Sequence, residues 1–135
     1  KNLIELATLL KLENLKFVPL QPFQLLPKIL ACADCHLIIQ KKGIADAVLP
    51  SKLTNILAVG GNSVITADKG TFLGNLCEQF EGISTLVKPE SVEDLKRGIL
   101  ETIEIEKPNV TAINYAERYL DKEIILKNFE QKLNF

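Results

Sequence analysis

The chain has 135 residues, enough for a single domain with one hydrophobic core. Hydrophobic residues make up 47% of it and charged residues 24%, which is an ordinary globular composition. Its 16 basic and 17 acidic residues nearly cancel, so it lacks the positive field of a nucleic-acid-binding domain and no nucleic acid is expected as a partner. The sequence shows no apolar run that could span a bilayer and no signal peptide, which favours a cytoplasmic location.

The start of the sequence indicates a piece of a longer protein. It begins at Lys1 and contains no Met. We therefore expect one domain over 1–135 that is truncated at its N-terminus.

Apolar residues in the first half of the chain recur with the spacings of helices and strands. Helical spacing predicts one helix over 3–12, already under way where the sequence begins, and another over 23–33. Residues 15–20, LKFVPL, have the apolar content of a strand, which Pro19 makes short or irregular. Residues 35–40, CHLIIQ, form a continuous apolar run, as expected for a strand that is buried on both faces.

The second half of the chain continues the alternation. Two further strands are predicted at 63–66 and 83–87. The predicted helices cover 51–59, 72–80, 91–103 and 110–133, the last with a break near Asp121. Alternating helices and strands with short connections predict an α/β fold, a Rossmann-like parallel sheet with helices on both faces.

Ligands of such sheets bind outside the carboxyl ends of the strands. Four predicted loops share that rim, at 21–22, 41–49, 67–70 and 88–91. Thr66 and Asp68 lie on the rim and are candidates to flank a ligand. Lys41 and Lys42 also lie there and would attract phosphate, although a pair of loop lysines is more often only solvated.

A second pattern, Cys32-Ala33-Asp34-Cys35-His36, spells the attachment signature of c-type haem. Haem is disfavoured because there is no Met and no second His to bind the far side of the iron. A zinc site of Cys32, Cys35, His36 and Cys77 is supported only by the number of ligands. The favoured interpretation is that the cysteines pack as small hydrophobic residues and His36 is a hydrogen-bonded structural residue.

The predicted helix over 51–59 has two distinct stripes. Its apolar stripe consists of Leu53, Ile56 and Leu57. Ser51, Lys52 and Asn55 form a polar stripe with the same spacing. Ser51 is expected at the helix entrance, where its hydroxyl would accept a hydrogen bond from a first-turn N–H. Because the free N–H groups and the helix dipole favour negative charge, this end is a candidate anion site.

The stretch LPSKLTNILAVGGNSVIT, residues 49–66, resembles the C-terminal domain of retaining glycosyltransferases with the two-domain GT-B fold. The family pattern P-S-K-x-x-E-x-x-A-x-G matches the spacing from Pro50 to Gly60. Asn55 stands where the family usually has Glu, and Asn62 stands where it usually has Pro. The wording KGIADAVLPSKLTNILAVGG is most similar to family 4 glycosyltransferases of the colanic-acid and O-antigen type.

The resemblance implies a domain that binds a UDP- or GDP-linked sugar donor, without a cofactor or a protein-bound metal. It implies that Asn55 binds the ribose hydroxyls and that Ser51 and Lys52 face the diphosphate. Gln21 would lie near the base and Thr66 near the sugar. The catalytic residues stay unassigned, except that Asp46 lies next to the position of the family's first acidic residue and is a candidate contact for the donor sugar or phosphate.

The resemblance also implies a reaction for the full-length protein. A hexosyl-type transferase would move the sugar, with retention, to a lipid-linked polysaccharide acceptor held by the absent N-terminal domain, at the cytoplasmic side of the inner membrane. The 135 residues alone are then expected to be inactive. Two alternatives stay open: a nucleotide-sugar 2-epimerase of the same fold, and a non-catalytic α/β interaction module.

Overall fold

The computed structural model of the protein describes residues 2–43 and 49–133. The strands are β1 (His36–Ile39), β2 (Ser63–Thr66) and β3 (Thr85–Val87). The α-helices are α1 (Leu3–Leu9), α2 (Leu26–Cys32), α3 (Ser51–Ala58), α4 (Phe72–Gln79), α5 (Val92–Ile103), α6 (Val110–Tyr119) and α7 (Lys122–Lys132), and one 3-10 turn, Phe23–Leu25, precedes α2.

The three strands form one parallel sheet in the order β1-β2-β3. His36 pairs with Ser63, and Val64 pairs with Thr85, so all three carboxyl ends meet at one rim. The central strand β2 is buried throughout. The predicted α/β class with a parallel sheet flanked by helices is therefore confirmed.

Helices cover both faces of the sheet at β2 and β3, whereas β1 is buried on one face only: Leu37 and Ile39 stay exposed, so the prediction that this strand is buried on both faces is wrong. On one face, Ile38 and Ile65 pack in a common core with α3, α4 and α6. On the other face, α5 approaches so closely that a Cβ on Gly98 would lie 2.5 Å from Cγ1 of Val87 and 3.4 Å from Cγ1 of Val64. Gly98 therefore allows α5 to contact the sheet directly, and Val64 and Val87, which face α5, are buried.

Residues 15–20 do not form the predicted strand. The structure leaves them without regular secondary structure, and all six are exposed, Leu20 completely. Pro19 lacks the N–H that a strand pairing would need, and none of the strands in the described part of the chain pairs with these residues. The prediction of a strand at 15–20 is wrong, because apolar content does not by itself provide a strand to pair with.

The helix predictions hold with changes at their ends. α1 starts within the described chain, where the Asn2 side chain accepts a hydrogen bond from the N–H of Ile4, so it is not already under way. The helix predicted over 91–103 is confirmed, and Ser91 caps it, because its hydroxyl accepts from the N–H of Asp94 at 3.1 Å. The break near Asp121 is also confirmed, since Asp121 caps α7.

A buried polar network joins the amino-terminal end of β2 to α6. Asn109 caps α6 through the N–H of Ala112, and its amide donates to Oδ1 of Asn62 and to the carbonyl of Gly82. Asn62 in turn donates to the carbonyl of Ile105 at 2.9 Å. Asn62 therefore has a structural role that a Pro at this position would lack, because Pro carries no side-chain amide.

Candidate functional site

A cleft of about 570 Å³ opens at the carboxyl ends of β2 and β3. Loops after all three strands line it, with Lys42 after β1, Asp68 and Lys69 after β2, and Lys88 and Pro89 after β3. This is the edge at which parallel α/β sheets bind ligands. The structure therefore presents a ligand-sized opening where the topology predicts one.

Hydrogen bonds fix the loops that form the cleft. The hydroxyl of Thr66 donates to the carbonyl of Gln40 at 2.9 Å and accepts from its N–H at 2.7 Å, so the ends of β1 and β2 are held together. Oδ2 of Asp68 accepts from the N–H of Gly43 at 3.3 Å, which joins the loop after β1 to the loop after β2. Asp68 also begins the turn into α4, where its carbonyl accepts from the hydroxyl of Thr71.

The cleft carries an excess of positive charge. Among the described lining residues, three lysines, Lys42, Lys69 and Lys88, lie beside one carboxylate, Asp68. Lys69 lies 3.8 Å from Oε1 of Glu78, whereas Lys42 and Lys88 have no carboxylate partner among residues 2–43 and 49–133. Two ammonium groups without a carboxylate partner in the described chain, on the loops after β1 and β3, line one cleft and are suited to an anion with spread charge, such as a phosphate or diphosphate.

Helix α3 is positioned by its apolar stripe. Leu53, Ile56 and Leu57 are fully buried, as the spacing predicts. Pro50, and not Ser51, is the cap residue, and no side-chain bond caps this end. The prediction that the Ser51 hydroxyl caps the helix is therefore wrong, because Ser51 already occupies the first helical position.

The polar stripe of α3 faces away from the core. Ser51, Lys52 and Asn55 are exposed, and Asn55 makes no side-chain hydrogen bond with the described residues. Nζ of Lys52 donates to the carbonyl of Leu37 at 2.8 Å. Lys52 and Pro50 line a second opening of about 450 Å³ along the outer edge of β1. The structure thus places Lys52 beside β1, while Asn55 is free to bind a ligand.

The other predicted contacts are more scattered. The amide of Gln21 donates to the carbonyl of Pro19 within an exposed segment, and Gln21 lines neither opening. Thr66 is buried and its hydroxyl is occupied by Gln40. Asp46 lies outside the described residues.

The C-x-x-C-H stretch connects the end of α2 to the start of β1. His36 is buried, and its Nε2 donates to the carbonyl of Leu30 at 2.9 Å, as expected for a structural histidine. Burial lowers the pKa of His36, which the Leu30 carbonyl partly opposes. Cys32 is exposed, so the prediction that it is buried is wrong. Within residues 2–43 and 49–133, no group of three or more His, Cys, Asp or Glu side chains could hold a metal ion.

Lys69 and Lys88 were missed by the sequence reasoning. Lys42, Lys69 and Lys88 each follow a strand by no more than three positions. Because the strands are parallel, residues just after them meet at one rim. A search for one cation after each predicted strand would have found the set.

The chain is similar to a protein of Escherichia coli (strain K12), WcaI, which is named as a colanic acid biosynthesis glycosyl transferase. The two are 58% identical over 118 residues, which is 87% of this chain and 29% of the relative. The matched part is the relative's C-terminal part, so the resemblance to glycosyltransferases of the colanic-acid type is confirmed. The chain spans less than a third of the length of that relative.

Two other comparisons found no relative. No protein-family model matches the chain, and no solved structure matches it. None of the helices in the described part of the chain is long and apolar enough to cross a membrane.

Proposed function

We propose that this domain binds the nucleotide-sugar donor of a glycosyltransferase that acts in polysaccharide biosynthesis. The single observation that supports the proposal best is the lysine-lined cleft at the carboxyl ends of the parallel strands. A nucleotide-sugar carries its negative charge on the diphosphate, and the cleft offers two unpaired ammonium groups, on Lys42 and Lys88, within one opening. The similarity to a named glycosyl transferase supplies the chemistry that such a cleft would serve.

The cleft lysines would act mainly on the leaving group. When the bond between the sugar and the diphosphate breaks, negative charge increases on the phosphate oxygens. Fixed cations beside those oxygens stabilise the transition state more than the ground state, which accelerates transfer. We propose this role for Lys42 and Lys88, with Lys69 contributing less because Glu78 lies 3.8 Å from it.

We propose that α3 holds the rest of the nucleotide. The free side-chain amide of Asn55 can donate one hydrogen bond and accept another, so it can bind a ribose diol without the charge of the usual Glu. Ser51 and Lys52 stay proposed contacts near the helix start. Transfer with retention, the lipid-linked acceptor and the cytoplasmic side of the inner membrane belong to this proposal for the whole protein.

Dissociation constants for UDP and GDP test the proposal directly. Since one of two contacting domains is present, we expect millimolar affinity, worth about 4 kcal/mol, and a preference for one base. Lys88→Gln should weaken binding by at least about tenfold, because a charge-assisted hydrogen bond contributes about 1.5–3 kcal/mol. Lys96→Gln is the matched control, since Lys96 is exposed on the outer side of α5 and outside the cleft.

Two results would contradict the proposal. The first is that neither nucleotide binds the folded chain at a concentration of about 10 mM, which is ten times a millimolar dissociation constant. The second is equal loss of affinity in Lys88→Gln and Lys96→Gln, because this would assign binding to overall charge. We also expect no sugar transfer by the 135 residues alone, and measurable turnover would refute that expectation.

A further inference from the structure

A smaller groove lies between α4 and α6, separate from both the lysine-lined cleft and the opening beside β1. It has a volume of about 220 Å³ and is lined by Phe72, Asn75, Leu76, Gln79, Phe80 and Tyr115. None of these six side chains carries a charge, in contrast to the rim cleft. The two openings are therefore suited to ligands of different chemistry.

Aromatic rings form the apolar part of the groove. Phe80 and Tyr115 pack edge to face with their ring centroids 4.8 Å apart, which fixes the orientation of both rings. Phe72 begins α4 and keeps 43% of its surface exposed, whereas the next residue, Leu73, is buried. Aromatic surfaces that stay exposed offer electron-rich faces to the C–H groups of a ligand.

Polar groups in the groove have unused hydrogen-bonding capacity. In the described part of the chain, neither the Tyr115 hydroxyl nor the Gln79 amide makes a hydrogen bond. Asn75 makes only one long bond, from Nδ2 to the carbonyl of Gly70 at 3.5 Å, so its Oδ1 is free. Together these groups provide donors and acceptors around the aromatic surface.

From this combination we infer that the groove is a binding site for a neutral saccharide, separate from the nucleotide site. A sugar ring presents C–H groups on its faces and hydroxyl groups at its edge. The faces match Phe72 and Phe80, and the hydroxyls match the free groups of Gln79, Asn75 and Tyr115.

The size and charge of the groove favour a sugar over other occupants. Its volume is below the range of about 300 Å³ and more that is typical of drug-sized ligands, which suits one ring. An uncharged lining gives no reason for a phosphate or an acidic peptide to bind. The inference does not depend on the proposed nucleotide site, because it uses none of the rim residues.

Tyrosine fluorescence reports on this groove selectively. The chain contains no Trp and two Tyr, and both Tyr115 and Tyr119 belong to the aromatic cluster with Phe80. Glucose, galactose and mannose would be titrated into the 135-residue chain, with sorbitol as a control for a polyol that lacks a ring. We expect at least one of the three sugars to give a saturable change with a millimolar dissociation constant, and sorbitol to give none.

A matched pair of variants locates the response. Gln79→Ala should weaken sugar binding by about three- to tenfold, because it removes one or two hydrogen bonds to the ligand. Gln131→Ala is the control, since Gln131 is an exposed glutamine on α7 and outside the groove. Both residues are exposed, so both variants should unfold at the urea concentration that unfolds the parent chain.

Three results would overturn the inference. One is the absence of a saturable response to any of the sugars up to about 100 mM, a hundredfold above a millimolar dissociation constant. Another is an equal affinity in the parent chain and in Gln79→Ala. The third is an apolar fluorescent dye that binds the groove and is not displaced by the sugars, since this would identify an apolar contact surface.

Discussion

The core around α3 and the N-terminal segment over 2–32 have the same kind of apolar pattern, but only the core is buried. Leu57 on α3 is fully buried, whereas Leu9 on α1 keeps 69% of its surface exposed. α1 buries a single residue, Ala7. Helical spacing therefore predicts which face of a helix is apolar, but burial also requires an opposing surface, and α3 has one in β1 and α6.

Truncating one leucine in each region tests the difference in burial most strongly. Leu57→Ala should lower the free energy of unfolding by about 2–5 kcal/mol, because it leaves a cavity in the core. Leu9→Ala removes the same atoms from an exposed site and should cost less than about 0.5 kcal/mol. Urea unfolding followed by circular dichroism measures both. Equal costs would show that α1 is packed as tightly as α3.

Two asparagine caps provide the next comparison. Asn109→Ala should cost about 2–3 kcal/mol, because it removes the cap of α6 and leaves buried partners such as Oδ1 of Asn62 unpaired. Asn2→Ala removes the cap of the exposed helix α1 and should cost about 0.5–1 kcal/mol at most. The same urea experiment measures both. If Asn2→Ala costs as much as Asn109→Ala, the buried network does not have the proposed role.

Cysteine labelling measures the difference in burial between the two regions without changing the core. Burial, and then the nearby charge of Glu78, raise the pKa of Cys77 to about 11, so its thiolate is scarce near pH 8. Cys32 is exposed at the end of α2. We expect an alkylating reagent to modify Cys32 at least about tenfold faster than Cys77 in the folded chain, and both at similar rates in urea. Mass spectrometry of peptides measures the two rates, and equal rates before unfolding would contradict the burial of Cys77.

The smallest expected effect is a pH dependence from His36. Burial lowers the pKa of His36 in the folded state, so the unfolded state binds a proton more readily. Stability should therefore be fully present above the unfolded pKa of about 6.5 and should fall as the pH drops below it. His36→Gln should reduce the change in the urea midpoint between pH 7.5 and pH 5.5. An unchanged pH dependence in this variant would assign the effect to other groups, since His36 is the sole histidine.

The sequence was most informative where local pattern and tertiary packing agree. Residues 51–59 and 63–66 were predicted as a helix and a strand, and the structure has both, with Gly60 at φ +66° just after the helix. At 15–20 the apolar pattern was present, but Pro19 and the lack of a pairing strand prevented a strand. Local composition could not reveal this, because strand pairing is a property of distant residues.

The candidate site was predictable in position and less so in its residues. The topology predicted the rim, and a cleft is found there. Thr66 was predicted as a ligand contact, but its hydroxyl binds the backbone of Gln40, which no sequence pattern indicates. Lys69 and Lys88 directly follow strands whose ends were predicted correctly, but the sequence does not show that the two side chains line one cleft. Side-chain roles depend on which loops become neighbours, and a single sequence does not specify that.

Mapping of the nucleotide by NMR tests the central proposal most directly. Amide spectra of the 135-residue chain would be recorded during titration with UDP, GDP and the nucleosides uridine and guanosine. We predict that one diphosphate shifts the amides of Lys42, Asp68 and Lys88, and that its nucleoside shifts them far less, because the lysines bind the diphosphate. Shifts confined to the opposite end of the sheet, near Gly60 and Gly82, would contradict the proposal, and so would equal shifts from the nucleoside.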